Sequence, residues 1–194
     1  MRFLCSGCYA LFLALLIFIG QSSPSAAQNA PEKAALCASC HGQDGVPLDP
    51  TIPVIWGQNE GYLYIQLRDF ARGARKNDQM AAVVQQLSKE DMQALAAYFS
   101  KQPWPNLGQK APPSDIVKKA EAIANSAQCP QCHLGGYLGA GVQPRLAGQS
   151  QTYLRKTMTD FRSGARANND WMTALLKTYS DADIAALAAY LAGF

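Results

Sequence analysis

The chain has 194 residues, of which 48% are hydrophobic and 16% charged, a composition typical of a folded globular protein and not of a disordered one. Its formal net charge is only +3, and no run of like charges exceeds two residues. A charge this small and this dispersed argues against nucleic-acid binding.

The N-terminal residues have the order of a secretory signal peptide, which we predict over residues 1–27. Arg2 supplies a positive charge, an apolar run extends from Tyr9 to Ile19, and small residues precede a predicted cleavage after Ala27. The alternative is an uncleaved membrane anchor, because residues 3–20 carry no charge and are about long enough to span a bilayer. Export implies an oxidising compartment.

The next feature is a Cys-x-x-Cys-His motif that occurs twice, and it uses both histidines of the chain. An alanine-rich helix predicted over residues 31–37 leads into the first motif, and one over residues 114–127 leads into the second. The motif residues are Cys37, Cys40 and His41, and then Cys129, Cys132 and His133. This spacing is the attachment signal for c-type haem, because two thiols can form thioethers with one porphyrin edge while the adjacent imidazole reaches the iron. The sequence therefore predicts two covalently attached haem groups.

Three other interpretations of these cysteines fit the sequence less well. Structural zinc favours a second ligand pair about 15–20 residues on, whereas these motifs lie 92 residues apart. A thioredoxin-like dithiol requires a βαβ setting, and no strand pattern flanks either motif. Two structural disulfides would not require a histidine after each pair. Haem attachment accounts for all six residues.

The two halves of the chain repeat at an offset of 91 or 92 residues, and both halves have helical patterns. Amphipathic helices are predicted over residues 61–71 and 151–162. The last helix of each half follows a capping box, at residues 88–91 and 180–183. Ser114 is the predicted N-cap of the helix before the second motif. No segment shows sustained alternation of apolar and polar residues, so the predicted fold is all-α.

Four prolines within residues 103–113 predict a stiff, extended linker between the repeats. The predicted division is a first domain over residues 28–102 and a second over residues 114–194. Each is small for a core of its own, and a covalently bound haem would supply apolar filling.

The second axial ligand of each iron is predicted to be a methionine, because no histidine is left over. Met92 and Met158 align with Ile184 and Leu67, and a residue replaced by an aliphatic one is packing rather than a ligand. Met80 and Met172 align with each other, and each follows its motif histidine by 39 residues. These two are the predicted iron ligands, with packing in the core as the alternative.

Polar residues shared by both halves are candidates to support the haems. Pro53 and Pro144 offer carbonyls that could accept a hydrogen bond from the ligating imidazoles. Arg75 and Arg166 are candidate partners of haem propionates. Further hydrogen bonds could come from two tyrosines and two glutamines, with a solvated surface position as the alternative for each; these residues are Tyr62, Tyr153, Gln58 and Gln149.

The duplicated order of Cys-x-x-Cys-His, Pro…Gly-Gln…Tyr, Phe-x-x-Gly-x-Arg, a late methionine and Ala-Leu-Ala-Ala-Tyr resembles the dihaem cytochrome c4 family from about Cys37 to the C-terminus. The resemblance implies two class I cytochrome c domains related by a pseudo-twofold axis, with the haem propionates near their interface. One departure is Leu134 after His133, where Gly42 follows His41, so the loop after the second motif is expected to differ.

The resemblance also implies an electron-transfer protein of the bacterial periplasm and not an enzyme. Its expected partners are a quinol-oxidising complex or dehydrogenase as donor and a terminal oxidase as acceptor, with peripheral association at the membrane. The alternative is the electron-accepting subunit of a flavoprotein sulfide dehydrogenase. A haem enzyme such as a peroxidase or thiosulfate dehydrogenase would need an exchangeable axial position, which two paired methionines argue against.

Overall fold

The computed structural model describes residues 26–194, and among them it contains nine α-helices, one 3₁₀ turn and no β-strand. The predicted signal peptide therefore lies outside the described residues except for Ala26 and Ala27. The helices are α1 (Ala26–His41), α2 (Glu60–Ala71), α3 (Asp78–Val84), α4 (Lys89–Ser100), α5 (Ser114–Ser126), α6 (Cys129–His133), α7 (Gln151–Ser163), α8 (Asp170–Leu176) and α9 (Asp181–Ala192). The all-α prediction is confirmed. We call α1–α4 the first half and α5–α9 the second half.

Each half is organised around its last helix. In the first half α4 packs against α1 and α2, and Leu95 and Phe99 are almost completely buried between them. In the second half α9 packs against α5 and α7 and buries Ile184 and Leu187. These residues recur every three or four positions, so one helical face is apolar and is removed from water. The halves therefore have separate cores with the same arrangement.

The N-termini of α4 and α9 carry the predicted capping boxes. The hydroxyl of Ser88 accepts a hydrogen bond from the Asp91 N–H while the Asp91 carboxylate accepts from the Ser88 N–H, and the same exchange occurs between Ser180 and Asp183. The prediction for α5 was wrong by one residue. Pro113 is its N-cap, with an extended ψ of 152° and no side-chain capping bond, and Ser114 is its first helical residue.

Residues 103–113 join the halves without a regular element. Trp104 lies against the second half, where the Arg145 guanidinium stacks 4.2 Å from the centre of its ring. A Cβ added at Gly148 would lie 3.1 Å from the Trp104 indole nitrogen, so the indole would have to move by a few tenths of an ångström to admit it. No helix within residues 26–194 combines the length and the apolar character needed to cross a membrane.

Candidate haem-binding sites

The two motif histidines are held alike. His41 at the end of α1 and His133 at the end of α6 are each 7% exposed. The Nδ1–H of His41 donates to the carbonyl of Pro53 over 2.8 Å, and that of His133 donates to Pro144 over 3.1 Å. This fixes the tautomer and leaves Nε2 with a free lone pair, as a metal ligand requires.

The ionisation of the motif side chains suits haem attachment better than thiol redox chemistry. Burial lowers the pKa of both histidines, so their imidazoles are neutral at pH 7 and able to ligate iron. Burial raises the pKa of Cys37 to about 11 and also raises that of Cys129. A redox-active dithiol has a lowered pKa instead. No disulfide joins the four motif cysteines, and Cys40 and Cys132 are exposed.

The two candidate methionines occupy the same position in equivalent helices. Met80 is the third residue of α3 and Met172 the third of α8. The backbone N–H of each donates to the side-chain oxygen of the N-cap asparagine, Asn77 or Asn169. The offset between the halves is 91 residues at Arg75 and Arg166 but 92 at Met80 and Met172. This one-residue insertion therefore lies before the capped turn that carries Met172.

Met92 and Met158 are more deeply buried than Met80 and Met172, although Met172 also packs against the core of the second half. Met92 and Met158 are each 8% exposed, and each lies on a helix face that is buried in the apolar core of its half. Both positions are therefore packing positions, and the assignment of the iron ligands to Met80 and Met172 stays a prediction.

The candidate polar residues meet between the halves instead of facing solvent. Gln66 of α2 accepts hydrogen bonds from Arg75, Arg166 and Asn168 over 3.0, 2.9 and 3.1 Å. Arg75 also donates to the hydroxyl of Tyr153, over 3.0 Å. The guanidiniums additionally stack on phenylalanine rings of their own halves, Phe70 and Phe161.

This inter-half cluster carries an excess of positive charge. Within residues 26–194 neither Arg75 nor Arg166 forms an ion pair with a carboxylate, and Arg166 is only 7% exposed. Burial raises the pKa of the Tyr153 phenol, but the two guanidiniums outweigh burial and bring it well below 10.0. Arg166 is buried and Arg75 is half-buried, and cations withdrawn from water without carboxylate partners favour an anionic ligand. The cluster therefore fits the carboxylates of haem propionates.

Two glutamines have a position that the sequence did not reveal. Gln58 and Gln149 are 3% and 2% exposed, and each hydrogen-bonds to the backbone of the opposite half. Their sequence signal was the repeated Gly-Gln pair, which shows equivalence but not what each side chain contacts.

The chain is similar in sequence and in structure to known cytochromes c. The cytochrome c family matches residues 117–193. Cytochrome c4 of Pseudomonas aeruginosa is 35% identical to this chain over 83% of this chain and 85% of its own length. A crystal structure of reduced recombinant cytochrome c4 from Pseudomonas stutzeri superimposes with a TM-score of 0.77 at 32% identity and covers 86% of this chain and 97% of that one. The thiosulfate dehydrogenase electron acceptor of Stutzerimonas stutzeri is 32% identical over 96% of this chain and 92% of its own length.

The helical halves, the duplicated attachment motif and the buried imidazoles define a tandem class I cytochrome c that carries two covalently attached haem c groups. Its relatives are electron-transfer proteins and not enzymes. The chain belongs to the cytochrome c4 family.

Proposed function

We propose that the protein carries electrons in the periplasm between a respiratory donor and a terminal oxidase. The observation that carries this proposal is that both halves hold a buried, oriented imidazole and a methionine at matching positions. If both axial positions of each iron are filled by these residues, no position is left for a substrate, and this suits electron carriage better than catalysis at iron.

The proposed axial ligands are His41 with Met80 and His133 with Met172. Haem iron supplies a reversible one-electron couple when it is bound in such sites. Thioether sulfur favours the ferrous state, and an apolar surrounding disfavours the extra charge of the ferric state. The protein's contribution is therefore to hold the ligands still and to exclude water.

Arg75 and Arg166 are proposed to hold haem propionates through charge-assisted hydrogen bonds. Because they lie in one cluster, the propionate edges of both haems would meet between the halves. The proposed domain ranges, 28–102 and 114–194 with a linker over 103–113, agree with helices that pack within each half.

A terminal oxidase as acceptor can be tested directly. Purified, reduced holoprotein should be reoxidised by membranes of the producing bacterium in the presence of oxygen, and cyanide should block this reaction. A low net charge gives little electrostatic steering, so the rate should fall only slightly as salt is raised. Reoxidation that cyanide does not slow would count against an oxidase acceptor.

Export is proposed through the signal peptide at residues 1–27, with membrane anchoring through an uncleaved segment as the alternative. The intact mass of the holoprotein tests this and the cofactor count together. We expect the mass of residues 28–194 plus two haems. A mass that included Met1, found in the membrane fraction, would support the anchor instead.

A second candidate function is electron acceptance from a periplasmic dehydrogenase. Sequence reasoning pointed to a flavoprotein sulfide dehydrogenase, and the similarity to a thiosulfate dehydrogenase electron acceptor now favours thiosulfate as the electron source. Catalytic amounts of a thiosulfate dehydrogenase with thiosulfate should then reduce the protein faster than a sulfide-oxidising flavoprotein with sulfide. Equal or slower reduction would remove the reason for preferring thiosulfate.

A further inference from the structure

Two glutamine side chains form reciprocal clamps across the interface between the halves. Gln149 of the second half accepts from the backbone N–H of Val54 over 2.8 Å and donates to the carbonyl of Val54 over 2.9 Å. Gln58 of the first half accepts from the N–H of Arg145 over 2.7 Å and donates to its carbonyl over 2.9 Å. Each clamp therefore engages both backbone groups of one residue in the opposite half.

The clamped N–H groups belong to the peptide units that orient the histidines. The carbonyl of the Pro53–Val54 peptide accepts from His41, and the N–H of the same peptide donates to Gln149. The Pro144–Arg145 peptide joins His133 to Gln58 in the same way. A single planar amide thus separates each imidazole from a side chain of the other half.

These amides are well placed to transmit polarisation. Hydrogen bonds in series polarise one another, by roughly 10–30% per bond in condensed-phase estimates. Val54 is 1% exposed and Gln149 is 2% exposed, so water does not compete for the hydrogen bond between them. We call the path from a glutamine through one peptide to a histidine a relay. A carbonyl made more negative accepts more strongly from the imidazole N–H, and the imidazole becomes a better electron donor to the metal.

We propose that each glutamine is a positioning residue for the iron of the opposite half. Gln149 lowers the reduction potential of the first haem by polarising the Pro53–Val54 peptide, and Gln58 lowers that of the second through the Pro144–Arg145 peptide. This inference rests on the histidine ligation proposed above. It predicts that the potential of each haem depends on a residue encoded in the other half.

The direction of these clamps distinguishes them from general interface contacts. Asn59 donates to the carbonyls of Leu138 and Gln143, and the N–H of Tyr62 donates to Gly141, so other bonds also join the halves. None of these involves a peptide that accepts from a histidine. If the glutamines only held the halves together, their loss would disturb both haems alike.

The test compares Gln149→Leu with Gln58→Leu in holoprotein. A redox titration followed by proton NMR resolves the haem methyl signals of each half and so gives two separate potentials. Gln149→Leu should raise the first potential and leave the second unchanged, and Gln58→Leu should do the reverse. We expect about a threefold change in the oxidised-to-reduced ratio of the affected haem at fixed solution potential, equal to about 28 mV at 59 mV per tenfold.

Gln109→Leu is the matched control. The Gln109 side chain donates to the carbonyls of Gln149 and Ala192 and accepts from the N–H of Gln151. It bonds to neither of the peptides that accept a hydrogen bond from a histidine. It should leave both potentials unchanged. If a leucine variant does not assemble, Gln149→Asn and Gln58→Asn withdraw the amide by one methylene and should shift the same haems in the same direction.

A shift in the haem of the variant's own half, equal shifts in both haems, or no shift would overturn the relay. The axial-ligand absorption bands, recorded on the same samples, keep this outcome separate from a failure of the ligation proposal. Unchanged bands with unshifted potentials would reject only the relay, whereas unmutated protein lacking histidine–methionine bands would reject the ligands themselves.

Discussion

The two halves reach their histidines by different routes. In the first half α1 runs without a break through the attachment motif and ends at His41. In the second half α5 ends at Ser126, the left-handed residue Gln128 follows, and the short helix α6 carries the motif. Yet the bond from imidazole to proline carbonyl is the same in both. The repeat has kept the contacts that fix the ligand and has varied the chain that leads to it.

The halves also differ in which residue supplies the aromatic side chain that packs behind the attachment motif. Four residues after His41 lies Gly45, where an added Cβ would come within 2.7 Å of the Trp56 indole. Four residues after His133 lies Tyr137, which is 6% exposed, while the position equivalent to Trp56 is Ala147. One large aromatic side chain serves each half, but it comes from a different position. The repeat has therefore kept the side-chain volume packed behind the motif and has changed the residue that supplies it.

The largest expected effect comes from removing one proposed methionine ligand. Met80→Ala should abolish about half of the far-red sulfur-to-iron charge-transfer band of the oxidised protein, lower one potential and open that iron to carbon monoxide. Met172→Ala should do the same at the other haem, because the two helices present their methionines alike. Optical spectra and carbon monoxide titration measure both.

Met92→Leu and Met158→Leu are the matched controls. They should leave the band intact and cost under about 1.5 kcal/mol, since they conserve volume in the core. Loss of the band in either control would show that the repeat alignment had assigned the wrong methionines.

The next effect concerns the exchange of aromatic volume. Trp56→Ala should lower the free energy of unfolding by about 3 kcal/mol, and Gly45→Ala by about 2 kcal/mol through its left-handed backbone and the clash with the indole. The double variant should lose at least about 1 kcal/mol less unfolding free energy than the sum of the two single-variant losses, because the clash disappears with the indole. Urea unfolding of the four proteins measures this coupling.

Gly73→Ala provides the control for this cycle. Gly73 has a φ of +70°, and a Cβ there would meet nothing within 4 Å, so only the backbone cost of about 1 kcal/mol applies. It should be additive with Trp56→Ala. If Gly45→Ala were also additive with Trp56→Ala, the packing of the Trp56 indole would not depend on a glycine at position 45.

A smaller and equal effect is expected at the caps of the methionine-bearing helices. Asn77→Ala and Asn169→Ala should each cost about 1 kcal/mol of unfolding free energy by removing the side-chain acceptor for the Met80 or Met172 N–H. Asn77→Ser and Asn169→Ser keep an acceptor and should cost much less. Clearly unequal losses for the two alanine variants would show that the repeat has not kept this contact equivalent.

The smallest effect is a pH dependence at the capping boxes. Hydrogen bonds from Lys119 and Ser180 lower the pKa of Asp183 from 3.8 to about 2, and Lys33 and Ser88 likewise lower that of Asp91. A depressed carboxyl pKa contributes stability that is present above its ordinary value and is lost as the pH falls through the depressed one.

The Asp183 contribution should therefore disappear between about pH 4 and pH 2. Urea midpoints measured across this range should depend less steeply on pH in Asp183→Asn than in unmutated protein. Identical slopes would mean that the carboxylate does not contribute.

Local patterns predicted most of the helices and their starts. The spacing of apolar residues on α2, α4, α7 and α9 and the Ser-x-x-Asp boxes are short-range signals that act through the backbone on which they lie. The carbonyls of Pro53 and Pro144 were also predicted, because a ligating imidazole needs an acceptor and both prolines recur at nearly the same spacing from their histidines.

The contacts that the sequence did not reveal all join distant residues. Gln149 and Val54 are 95 positions apart, and nothing near either residue in the chain indicates their pairing. The alignment of Trp56 with Ala147 was visible, but its compensation by Gly45 and Tyr137 depends on which side chains meet in space. Arg75 and Arg166 were recognised as candidates, whereas their shared contact with Gln66 required both halves to be in place.

Synthesis of the chain from its N-terminus determines when the reciprocal clamps can form. A chain made from its N-terminus completes the first attachment motif and the Pro53–Val54 peptide long before Gln149, 95 residues later, exists. Until then the N–H of the peptide that faces His41 lacks its Gln149 partner. A haem attached to the first half before that point would therefore gain the Gln149 contact only when the second half folds against it.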